Sequence, residues 1–285
     1  NIGVELLGGN TRLTNEGTIT AAQAGILIGS GFNGNFIVND GAISADAGIV
    51  LNGSGVNIVN TGRIVGTFYG VSANFSTASA MTLNNSGTIS SNYYGAISLS
   101  DGAYDVINSG TLSGGYGLYL GNSFSNSTTV LSLDNTGMIS GSTAQFATTC
   151  GMLIFLTASF NLQMNNAGIV KGSFGISIQE LAGAAAGSTV VNIENAGLIQ
   201  GTSMGAIVAT SILNPSTMTL VNSGDIESLG VTNAVVQTNF DLDLTNSGSI
   251  TAGDQSSGVA VLDTGAVGAH VLNSGTISGA VALQL

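Results

Sequence analysis

The chain has 285 residues and a formal charge of −12, and 44% of it is hydrophobic while only 6% is charged, against roughly 25% charged residues in an ordinary soluble domain. Arg12, Arg63 and Lys171 are its only strong bases, so no basic cluster exists to displace counterions from a nucleic acid or to hold an anionic membrane surface. The single cysteine, Cys150, excludes an intrachain disulfide scaffold, and 43 glycines beside 1 proline, with no three-residue period, exclude collagen and a proline-rich linker.

No run of eighteen apolar residues occurs, so no membrane-spanning helix is expected. The opening Asn1-Ile2-Gly3-Val4-Glu5 lacks the basic stretch and apolar run of a secretory signal, so a secreted protein is expected to be met here in processed or trimmed form.

Read from the N-terminus, one phrase recurs. Asn-x-Gly-x-aliphatic starts at Asn15, Asn39, Asn60, Asn85, Asn108, Asn135, Asn166, Asn195, Asn222, Asn246 and Asn273, at spacings from 21 (Asn39 to Asn60) to 31 (Asn135 to Asn166). Two residues before each Asn stands an aliphatic or Met side chain, from Leu13 and Ile37 through to Val271. Four residues after it stands another, from Ile19 and Ile43 through to Ile277.

A second phrase follows in each repeat, usually a Gly and then alternating apolar residues, as in Gly25-Ile26-Leu27-Ile28, Gly117-Leu118-Tyr119-Leu120 and Gly258-Val259-Ala260-Val261. Near Ala234 that place is taken by Asn233, which tolerates left-handed geometry almost as Gly does. Each repeat thus holds three short runs of period two, which is the period of a strand. Ala182 to Ala186 is the one stretch that could form a helix.

Three strands per repeat, each with one apolar face, bury those faces by winding into coils that stack along an axis. The expected fold is all-β: a right-handed, single-stranded, three-sided parallel β-helix of about eleven coils, spanning 1–285 as one domain. At about 4.8 Å per coil the rod is roughly 50 Å long. Parity with the aliphatic positions two before and four after points the Asn column inward. There the stacked amides can bond one another as they do in cross-β ladders; a surface Asx-turn is the alternative. The Gly two residues on is expected to permit a tight bend.

Partial coils flank the repeats. Residues 3–6 at one end, with Gly3, Val4 and Leu6, and 279–283 at the other, with Val281 and Leu283 and followed by Leu285, match the third strand of a coil. Uncapped coils invite pairing, so these residues are candidate contacts to flanking coils of a longer rod or to a second copy stacked head to tail.

Asn85-Ser86-Gly87-Thr88-Ile89, Asn108-Ser109-Gly110-Thr111-Leu112 and Asn273-Ser274-Gly275-Thr276-Ile277, each leading into a Gly-led strand, resemble the β-helical passenger regions of bacterial autotransporter adhesins. The resemblance covers essentially the whole chain and concerns a structural repeat, not a site. It implies a bacterial cell-surface or extracellular location and a non-enzymatic, stalk-like or adhesive role, and it matches only the passenger portion of such proteins.

Candidate sites are few. Phe68, Tyr69, Tyr93, Tyr94 and Tyr116 could form an outward stripe for sugar rings or a partner. The residue before the third-strand Gly runs Tyr69, Tyr94, Tyr116, Cys150, Phe174 and Met204, and parity favours packing that column into the core, with Phe68 and Tyr93 as exposed neighbours.

Parallel β-helices also carry polysaccharide lyases and hydrolases, which need converging acids. Asp225 and Glu227 share one outward face and Asp241 and Asp243 another, on different strands, so a solvated face is expected. The latter pair is a weak Ca²⁺ candidate, and no other metal or cofactor is expected. His270 stands in phase with Asp243 and is read as its surface partner, and Cys150 as a core or turn residue. The longest repeats carry extra residues at 143–149 and 179–187, where solenoids place loops.

Overall fold

The computed structural model describes residues 1–73, 79–121, 128–141, 149–157, 159–180, 189–211, 216–230, 234–253, 258–265 and 268–285. The Ala182–Ala186 stretch, Asn233, and most of the extra residues at 143–149 and 179–187 lie outside them. Thirty-two β-strands form the described part, and no helix occurs among the described residues.

All strand pairings are parallel, and each strand between the end coils pairs with its counterpart one repeat earlier and one repeat later. The chain is a parallel β-helix, which the general hand of parallel crossovers winds to the right. A first face is the 11-stranded sheet that holds the strands ending in each Asn. The second and third faces carry the Gly-x-Ile strands and the last strand of each coil.

The second and third faces join into one 21-stranded sheet. Single strands Ala42–Leu51 and Arg63–Ala73 run through both, with a register irregularity between Ala45 and Ala47 where the chain bends. The sequence divides a coil into three equal runs, but two of its three corners are not alike. The bend between second and third faces is open enough, in two coils, to leave the strand unbroken.

The core is a stack of aliphatic columns. Ile37, Ile58, Leu83 and Val106 lie over one another on the first face, Ile43, Ile64, Ile89 and Leu112 on the second, and Ile26, Ile49, Val71 and Ile97 on the third. All twelve are buried. Burial of one such side chain contributes about 1.5–3 kcal/mol, and β-branched residues also suit the pleated surface.

The columns thin out at the two ends. Val4, Leu13 and Ile19 in the first coil, and Val271 and Ile277 in the last, are only partly buried. Of the candidate end contacts, Leu6 is buried and Gly3 exposed, while Val281, Leu283 and Leu285 are exposed. Strands Ile2–Leu6 and Val281–Gln284 each pair on one side only.

Candidate functional site

The corner between the first and second faces repeats without variation. In every coil two residues, x and Gly, separate the Asn from the next strand. The asparagines are inside: ten of the eleven are buried, and only Asn273 in the last coil is exposed. Each Nδ2 donates to the Oδ1 of the next Asn at 2.7–2.8 Å, giving ten consecutive bonds from Asn15 to Asn273.

The second amide hydrogen is also used. Asn108 Nδ2, for example, lies 3.4 Å from the Gly110 carbonyl in its own turn and 3.3 Å from the Met138 carbonyl in the next coil. The backbone repeats the arrangement: the N–H groups of Thr136 and Gly137 both donate to the Asn108 carbonyl, at 2.8 and 3.0 Å. The Asn amide and the two turn N–H groups therefore have partners one coil away, which is what a buried amide requires.

Glycine is needed in this turn for a reason other than the bend expected of it. None of the turn glycines adopts a positive φ. Each instead lies directly over the glycine of the previous coil, so a Cβ at Gly110 would run into the Gly87 carbonyl oxygen. Gly17, in the first coil, would meet nothing within 4 Å.

The opposite behaviour marks the junction of second and third faces. Here the linkers differ in length, and the aromatic residues gather. Phe68 and Tyr94 are exposed and Tyr69, Tyr93 and Tyr116 partly exposed, so this set faces outward and is not stacked in the core. At Tyr94 and Met204 the register also departs from the expected column. Ile97 pairs with Val71, and Gly95, not Tyr94, pairs with Tyr116. Ile207 likewise pairs with Ile176, which sets Gly205 and not Met204 beside Phe174. One extra residue in these two coils shifts the phase that parity relied on.

The rings touch in two sets, one of Phe68, Tyr69, Tyr93 and Tyr94 and the other of Tyr116, Tyr119 and Phe155. Phe68 lies 5.5 Å from Tyr93 and 6.1 Å from Tyr94 between centroids, and Tyr69 stacks on Tyr94 at 5.3 Å with 17° between planes. Sequence reasoning missed two further members, Tyr119 and Phe155, with Tyr116–Tyr119 at 5.8 Å and Tyr119–Phe155 at 6.3 Å. Alternation alone could have found them, since Leu118 and Leu120 flank Tyr119 and Ile154 and Leu156 flank Phe155, and all four flanking residues are buried.

Five of the 6 tyrosines of the chain belong to this surface. Burial, and then the neighbouring phenols, raises the Tyr69 pKa above its usual value, and burial is also the first cause at Tyr116 and Tyr119. The surface is uncharged at neutral pH.

The remaining candidates stay apart. Asp225 and Glu227 flank buried Ile226 on the second face, with Leu198 and Gln200 beside them in one coil and Ser249 and Thr251 in the next. Gln200 Nε2 donates to Glu227 Oε1. Asp241 and Asp243 lie on the first face. His270 Nδ1 is 3.0 Å from Asp243 Oδ1, with both side chains largely in solvent, where such a pair contributes little. No group of three or more potential metal ligands occurs among the described residues.

Cys150 is buried beside Tyr116 and Phe174, and desolvation pushes its thiol up to about 12, so it is neither a thiolate nor accessible. A groove of about 430 Å³ runs along the outside of the Asn corner past Asp134, Asn165 and Glu194, where Asn165 Nδ2 donates to Asp134 Oδ1 at 2.7 Å.

The fold and these surfaces define the chain as a parallel β-solenoid with one invariant structural corner and one aromatic side wall. Comparisons with protein-family models, with curated proteins and with solved structures give no match.

Proposed function

We propose that this chain is a non-enzymatic rod element with a structural and adhesive role at the surface or exterior of a bacterial cell. The observation that carries the reading is the unbroken axial ladder of ten Asn–Asn bonds. The repeated chemistry of the sequence is spent on holding coil to coil, and what varies is the side wall. A scaffold whose every repeat contacts only its neighbours is suited to length and to display. The resemblance of the Asn-Ser-Gly-Thr phrases to adhesin passengers supports the same role and the location.

Strands Ile2–Leu6 and Val281–Gln284 each have one edge unpaired, and such an edge can accept a further strand. The paired carboxylates on different strands and the exposed His270–Asp243 pair are solvated surface groups, without a role in turnover or in Ca²⁺ binding.

The test is to display the chain on a non-adherent bacterium and count cells retained on host-cell and polysaccharide-coated surfaces under flow. The purified chain is incubated in parallel with neutral and acidic polysaccharides, and product ends are assayed. Retention above the undisplayed control without depolymerisation is expected. Depolymerisation would replace the reading with that of a carbohydrate-active β-helix enzyme, and absence of retention on every surface would remove the adhesive role.

A further inference from the structure

We infer that the aromatic side wall around Tyr69, Tyr94 and Tyr119 is a binding platform for an extended, uncharged glycan lying along the rod axis. The inference rests on the adhesive reading above and adds the chemical class of the ligand.

Three observations lead to it. The first is arrangement. Rings from four successive coils line this wall in two contacting sets: Phe68 and Tyr69 touch Tyr93 and Tyr94 of the next coil at 5.3–6.1 Å between centroids, and Tyr119, beside Tyr116 at 5.8 Å, touches Phe155 of the next coil at 6.3 Å. Coils advance by about 4.8 Å each. Such a row is on the scale of one pyranose per coil, and it suits a linear ligand better than a compact one.

The second is the kind of contact offered. Backbone groups on this wall are already paired to the coils on either side, as Gly95 to Tyr116 and Tyr116 to Cys150 illustrate. A peptide strand therefore finds no free edge to extend, and binding must come from side chains alone. Tyrosine supplies an apolar ring face with a hydroxyl at its rim, which matches the C–H faces and hydroxyls of a sugar. No group among the described residues hydrogen-bonds the hydroxyls of Tyr69, Tyr93 or Tyr119, so these can turn to a ligand.

The third is charge. The chain carries −12 overall, which repels a polyanion, and the residues that bear these rings are neutral. A neutral glycan meets no electrostatic barrier there, whereas an acidic polysaccharide does. A second copy of the chain is a poorer occupant. Seven partly covered rings expose on the order of 500 Å², short of the roughly 800 Å² per partner that a stable interface takes.

The experiment uses the full chain and its own tyrosine emission, because the sequence contains 0 Trp and most of its tyrosines lie on the wall. The probes are the neutral hexasaccharides of β-1,4-linked glucose and of β-1,4-linked N-acetylglucosamine, with an oligogalacturonate as the acidic comparison and glucose as the short one. Saturable change in emission with a neutral hexasaccharide is expected, stronger for six units than for one and absent with the oligogalacturonate.

Tyr94→Ala and Tyr119→Ala should each weaken that binding about two- to tenfold, with unchanged melting temperature. The inference is overturned if neither neutral hexasaccharide binds, if the variants bind as the parent does, if the acidic oligomer binds best, or if sedimentation shows a dimer that these variants dissolve. Failure of sugar binding leaves an adhesive rod that grips a protein surface, and retention under flow detects that separately.

Discussion

Two corners of the same coil obey different rules. At the Asn corner the linker is always two residues, the amide always points inward, and the same bonds recur from Asn15 to Asn273. At the junction of second and third faces the linker runs from none in Arg63–Ala73 to the whole stretch between Gly141 and Cys150. The aromatic wall grows there. A buried polar column tolerates no change of length, because each amide needs its partner at one coil's distance. An exposed junction makes no such demand, since lengthening a surface loop costs little. One corner therefore sets the rod, and the other is free to carry a ligand.

The largest expected effect tests this contrast in length. Two residues inserted between Thr136 and Gly137 should displace Asn135 from its register with Asn108 and Asn166 and cost more than about 4 kcal/mol, the loss of a buried hydrogen-bonded unit. The same insertion between Thr202 and Ser203, exposed residues at the junction of second and third faces, should cost about 1 kcal/mol or less. Denaturant titration of both variants reads the difference, and equal losses would remove the distinction between corners.

Within the ladder, Asn135→Ala leaves the Asn108 amide and the Asn166 oxygen without their partners and should cost about 2–4 kcal/mol. Asn273→Ala, at the exposed end, should cost less than about 1 kcal/mol. Gly110→Ala should destabilise by about 2–3 kcal/mol because its methyl meets the Gly87 carbonyl. Gly17→Ala, with open space around it, should be neutral or slightly stabilising.

A pH-dependent effect concerns Cys150, at the other junction. Its thiol is raised from 9.0 to about 12 by burial, so the unfolded chain ionises first. The stability this difference contributes is complete below pH 9 and is lost between pH 9 and 12, at about 1 kcal/mol per pH unit. Tyr104, buried with its hydroxyl on the Asp101 carbonyl at 3.1 Å, is shifted in the same direction. Comparing urea midpoints of the parent and Cys150→Ala from pH 8 to 11 isolates the cysteine. Parallel curves would mean that the thiol is solvated in the folded chain.

The contrast also explains what could be read from the sequence. The two columns that flank each Asn keep their phase because the linker between them never varies, so Leu13 to Val271 and Ile19 to Ile277 predict the stack directly. The third face is separated from them by variable linkers. Counting from its glycine therefore misplaced Tyr94 and Met204 by one position. Tyr119 and Phe155 were legible from simple alternation, but a search keyed to the residue before Gly passed over them. The merging of two faces into one sheet was not legible, because the sharpness of a bend depends on how the coils above and below accept it. The role of the turn glycines was legible only as a need for Gly. Its cause, the carbonyl of the coil beneath, is a contact between residues more than twenty positions apart, as Gly110 is from Gly87.

The most direct test of the central claim, that an internal amide ladder holds the coils together, is hydrogen exchange of the asparagine side chains followed by ¹⁵N NMR. The Nδ2 hydrogens of Asn39 through Asn222 should exchange orders of magnitude more slowly than those of the exposed Asn92 and Asn161, because only opening of the stack releases them. Exchange of the ladder amides as fast as that of the exposed ones would contradict the account.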